Sequence, residues 1–80
     1  MRRKKPALVI AFASTAHAMR VEAFCAAAGL PGRLIPVPRE ITAGCGLAFK
    51  TLPEEEAHFR TVFAQEGIEY EGMYTVDLWG

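Results

Sequence analysis

Cysteine is scarce in this chain: 80 residues hold only Cys25 and Cys45. Two are too few for a disulfide framework. They form no C-x-x-C pair, and His17 and His58 lie at no ligand spacing, which excludes a zinc site and gives no reason to expect a metal. Net charge is also missing, because nine basic residues balance nine acidic ones. No global field then draws nucleic acid or a membrane surface. No apolar run approaches the roughly 20 residues that cross a bilayer. No repeat, linker or low-complexity stretch divides the chain, so its length sets one domain.

What is present is apolar. Hydrophobic residues make up 51% and charged residues 22%, which excludes a disordered chain. A domain this small buries only roughly 60% of its unfolded surface. Some apolar surface is then left over, and a homodimer would cover it. Arg2, Arg3, Lys4 and Lys5 form a short basic tail closed by Pro6, which leaves residues 7–80 as the domain. Basic residues, the run Ala7–Ala13 and Ala16-His17-Ala18 also imitate a secretory leader. Cleavage there would delete the best strand of the domain. The chain therefore reads as cytoplasmic and reduced, with Cys45 free.

Residues 7–13 suit a strand buried on both faces. Ser14 and Thr15 offer N-cap oxygens to a helix over 16–28, which buries Ala18, Val21, Cys25 and Ala28 and ends at Gly29. Residues 33–37 form a second strand, and Pro36 puts it at a sheet edge. After a loop over 38–46, Leu47–Lys50 form a third strand. Thr51-x-x-Glu54 reads as a capping box, with Pro53 in the first turn of a second helix. Phe59, Val62 and Phe63 supply that helix's buried stripe, and Gly67 ends it. Residues 68–79 alternate as a last strand, with Tyr70, Tyr74, Val76 and Leu78 on one side.

The order βαββαβ is the ferredoxin-like α+β arrangement. Right-handed crossovers place two helices on one face of a four-stranded antiparallel sheet. The other face is expected to be bare, lined by Ala48, Met73 and Trp79.

This topology carries the loop after the first strand and the loop over 38–46 to the same end of the domain. One loop holds Ser14, Thr15 and His17, and the other holds Arg39 and Cys45. Cys45 stands between Gly44 and Gly46, so another molecule can approach its thiol closely. A free thiol has a pKa near 8.5. Half-ionisation at neutral pH needs a shift of roughly 1.5 units, or about 2 kcal/mol. A helix N-terminus contributes about 0.3–1 kcal/mol. A guanidinium from Arg39 adds a similar amount and a charged His17 more, so at least two of these must lie near the sulfur. Backbone N–H groups around Gly44 and Gly46, with Ser14 and Thr15, would cradle an anionic sulfur or selenium species.

Structural readings stand beside these. The glycines also suit a turn or bulge, and Cys45 continues the alternation of Leu47 and Phe49 toward the core. His17 and Arg39 also suit an exposed first turn and a solvated loop. Cys25 lies on the buried helical stripe and reads as structural.

The run from Gly32 to Phe49, with Pro36-Val37-Pro38-Arg39-Glu40-Ile41-Thr42-Ala43-Gly44-Cys45-Gly46 at its heart, resembles a family of small bacterial and archaeal selenium/sulfur carrier-like proteins. The start Phe12-Ala13-Ser14-Thr15, followed by Ala18, Met19 and Glu22, is similar to that family's strand-to-helix opening. The resemblance implies one domain, no cofactor, and Cys45 as the holder of a persulfide or selenide. A donor such as a cysteine desulfurase would load it and an acceptor protein would unload it. This describes a carrier or sulfurtransferase-like protein rather than a turnover enzyme. Better-known sulfur-relay carriers use a C-P-x-P motif at a helix start, which this chain lacks. The alternative is a non-catalytic ferredoxin-like module that binds a ligand or protein through its open sheet face.

Overall fold

The apolar run Ala7-Leu8-Val9-Ile10-Ala11 is buried throughout, and the sheet is assembled on both sides of it. The computed structural model describes residues 3–41 and 46–79. Its elements are β1 (Lys4–Ala11), α1 (Thr15–Ala28), β2 (Arg33–Pro36), β3 (Leu47–Thr51), a 3-10 turn (Pro53–Glu55), α2 (Glu56–Glu66) and β4 (Gly72–Trp79). The strands lie in the order β2-β3-β1-β4, and each neighbouring pair is antiparallel. This is the ferredoxin-like α+β fold expected from the sequence. β2 takes an edge, where the missing N–H of Pro36 is tolerated.

β1 starts at Lys4, three residues before the apolar run, because β4 is long enough to pair Lys4 with Trp79 and Pro6 with Asp77. Pro6 lies beyond the last β1–β3 pair, Leu8 with Thr51, so it interrupts no three-stranded ladder. α1 is capped as expected: Ser14 Oγ accepts the Ala16 N–H, and Gly29 closes the helix at φ 72°. The capping box at Thr51 does not form. Thr51 is the last residue of β3, and its hydroxyl donates to the Pro31 carbonyl at 2.7 Å. Pro53 opens a 3-10 turn instead, and α2 begins at Glu56.

Both helices pack on one sheet face. Ala18, Val21 and Cys25 of α1 and Phe59, Val62 and Phe63 of α2 meet Leu8, Ile10 and Phe49 there. The opposite face is not bare. Val9, Ala11 and Ala48 are fully buried on it, in a second cluster with Ile35, Val37, Val76 and Leu78. Ile41, from the segment after β2, belongs to this cluster and is itself buried. Met73 packs against the helix-side cluster, so its expected place on the open face is corrected. β4 is apolar on both sides at its start, so alternation gave its period and not its phase. Ala48 does lie on the far face. The side chain of Trp79 lies outside the described residues.

Gly32 carries the tightest backbone approach. It has φ 137°, and a Cβ there would overlap the Phe49 ring and lie 2.8 Å from the Lys50 carbonyl oxygen. Gly29 has φ 72° and open space around it. Gly32→Ala is expected to destabilise the fold by about 2–3 kcal/mol. Gly29→Ala is expected to cost about 1 kcal/mol. Urea unfolding of both variants checks the order, and equal losses would show that the Phe49 contact is relieved at no cost.

Candidate functional site

Three chain segments converge at the end of the sheet where β1 finishes. β1 leaves at Ala11 and turns into α1. β4 enters at Gly72, opposite Ala11. β2 ends and β3 begins at the Pro36–Leu47 pair, one position beyond the pairing of Ala48 with Ala11. Val37 and Gly46, which follow β2 and precede β3, therefore lie at the same end as the start of α1. Gly46 has φ 75°, with its carbonyl accepting the Val37 N–H at 3.0 Å. Few L-residues adopt that φ, so backbone conformation explains this glycine. Cys45 and Gly44 lie outside the described residues.

Arg39 is exposed in a turn that the Ile41 N–H closes onto the Pro38 carbonyl at 3.0 Å. Among the described residues it makes no hydrogen bond or ion pair. Ile41, two residues on, anchors this turn to the sheet face away from the helices. His17 belongs to α1, on the helix side of the same end. Its Nδ1 accepts the Glu69 N–H at 3.3 Å, which leaves the neutral ring's proton on Nε2. That Nε2 lies 3.8 Å from Glu69 Oε2. A cavity of about 490 Å³ opens beside it, lined by Ser14, His17, Glu69, Tyr70 and Glu71 among others. Its charged walls are carboxylates, so this side of the end is electronegative. The hydroxyl of Ser14 is occupied in capping α1, and Thr15 is exposed as the first helical residue. The structure thus brings His17 to the α2–β4 connection. No described contact joins it to Arg39.

Sequence reasoning missed Glu69 as the partner of His17. The two are 52 positions apart and carry no shared motif.

Cys25 has the opposite surroundings from those a reactive thiol needs. It is 2% exposed, within the helix-side core, and burial pushes its pKa up from 9.0 to about 11. A thiol with a raised pKa favours the folded state while protonated. Its contribution is complete below pH 9.0 and is lost as pH rises toward about 11. The loss approaches about 2.7 kcal/mol, two pKa units at the standard conversion. Chemical denaturation across this range should show that decline in the parent chain. Cys25→Ala should be less stable at neutral pH and should lack this part of the alkaline slope. An unchanged slope would place the titrating group elsewhere.

A family model described as "putative Se/S carrier protein-like" matches residues 7–75. No curated protein and no solved structure matches the chain. The matched span runs from β1 into β4 and includes every candidate site residue.

Proposed function

Because the chain belongs to the Se/S carrier-like family, we propose that it is a cytoplasmic carrier that holds sulfur or selenium on Cys45. The observation that carries the reading is the family match, which spans the segment between β2 and β3. Cys25 is the other cysteine, and its burial and raised pKa exclude it from exchange with a second protein. The chemistry falls to Cys45.

In the sulfur case, the Cys45 thiolate attacks the outer sulfur of a donor persulfide. The donor's S–S bond breaks, and its inner sulfur leaves with the electron pair and takes up a proton. Cys45 then holds the persulfide, with no net oxidation or reduction. A cysteine desulfurase is the class of donor that presents such a sulfur. An acceptor protein's thiolate removes the cargo by the same exchange. Arg39, without a hydrogen bond or ion pair among the described residues, is the cation assigned to stabilise the thiolate. His17 offers an Nε2–H from the start of α1 as the proton donor. Gly44 and Gly46 give backbone N–H groups to the anion, with Thr15 and Ser14 at the helix start beside it.

The test is to incubate the protein with a cysteine desulfurase and cysteine, then map adducts by mass spectrometry of peptides. One added sulfur on the Cys45 peptide, and none on the Cys25 peptide, is the expected result. An unmodified Cys45 peptide would end the reading. Alkylation rate against pH gives a second check. A midpoint at about 7 or below fits a carrier thiolate, and a slow reaction with a midpoint of about 8.5 does not. Arg39→Gln should move a low midpoint upward, and an unmoved midpoint would remove Arg39 from the thiolate's surroundings.

A further inference from the structure

A second cavity lies at the other end of the sheet, and its charge is opposite to that beside His17. It encloses about 340 Å³, near the lower limit for a small-molecule pocket. Its walls include Lys5, Arg33 and Lys50, with Ala7, Leu52 and Leu78 as apolar surface. The register explains the cluster. Val9 and Ala11 of β1, Ala48 of β3, and Val76 and Leu78 of β4 point to the face away from the helices. Alternation puts Lys5, Lys50 and Arg33 on that same face. Lys5 is six residues from Ala11 along β1, so the cavity lies about 20 Å from the end where β1 finishes.

Three features of this cavity point to one kind of ligand. Among the described residues no carboxylate lines it and none of its three cations has an ion pair. Arg33 and Lys50 are direct cross-strand partners, a like-charge placement that costs stability unless an anion sits between them. Its wall is fixed, because Thr51 Oγ1 holds the Pro31 carbonyl at 2.7 Å and Gly32 packs its backbone against Phe49. A chain of zero net charge has thus gathered three cations around an apolar floor.

We propose that this cavity binds a small organic anion, with its acidic head among Lys5, Arg33 and Lys50 and an apolar body against Ala7, Leu52 and Leu78. The site is separate from the cavity beside His17 and does not depend on persulfide chemistry. A ligand there relieves the Arg33–Lys50 repulsion and therefore stabilises the fold.

The experiment is an amide NMR titration of the full chain with octanoate, with acetate and octan-1-ol as the head-only and tail-only controls. Saturable octanoate shifts are expected at Ala7, Gly32, Arg33, Lys50, Thr51, Leu52 and Leu78, with residues 13–17 and 67–71 unmoved. Both controls should bind at least about tenfold more weakly, since each lacks one half of the recognition. Arg33→Gln with Lys50→Gln should weaken octanoate at least about tenfold and raise the melting temperature of the unliganded protein. Octanol that binds as well as octanoate would overturn the proposal, as would shifts centred elsewhere or a double variant that binds like the parent. Failure to saturate would also overturn it. A folded variant with a higher melting temperature and lost binding would support it.

Discussion

Cys45→Ser is expected to abolish sulfur loading while leaving the fold intact. A serine hydroxyl keeps the shape of the side chain but is not ionised at neutral pH, so it cannot open a donor persulfide. Cys25 remains in this variant as an internal control. It is 2% exposed in the helix-side core, with its pKa raised to about 11, so it offers neither access nor thiolate. Intact-mass spectra after incubation with desulfurase and cysteine should therefore show one added sulfur on the parent chain and none on the variant. An equal adduct on Cys45→Ser would remove the carrier assignment. Circular dichroism should be the same for both proteins.

Phe59→Ala is expected to bring the fold to the edge of unfolding. Phe59 is fully buried on α2, with ring centroids 5.8 Å from both Phe49 and Phe63. It joins the helix to the sheet at the centre of the core. Removing such a ring costs about 3–5 kcal/mol, from lost transfer energy and the cavity left behind. Native domains have about 5–15 kcal/mol in total, and one of this size lies near the lower end. Urea unfolding should show a midpoint near zero denaturant or a broad loss of the native baseline. A loss below about 1 kcal/mol would mean that the core closes over the gap.

Much of this architecture was legible in local chemistry. Gly29 and Gly67 both end helices in the left-handed conformation that their sequence positions suggested. Pro36 marked an edge strand, and the apolar run before Ser14 marked the central one. The misreadings came from competing partners. Thr51 had the spacing of a capping box, but β3 extends through it and the Pro31 carbonyl takes its hydroxyl. The two apolar sides of β4 left its facing ambiguous until Ile10 paired with Met73. The far face looked open because alternation cannot show that Ile41 returns from its loop to lie on it. That coverage weakens the case for a homodimer or docking partner over this face. At the candidate site, the glycines and the surrounding motif single out Cys45 in the sequence, while Cys45 itself lies outside the described residues. The bond between His17 and the Glu69 backbone was not, since it spans most of the chain.

The burial of Cys25 has one more consequence. A protein that bears a persulfide can discharge itself when a neighbouring thiol attacks the inner sulfur and expels sulfide, leaving an internal disulfide. Here the other sulfhydryl is locked inside the hydrocarbon under α1. Cargo on this chain would have no resolving partner of its own, and its release would wait for a thiol on another molecule.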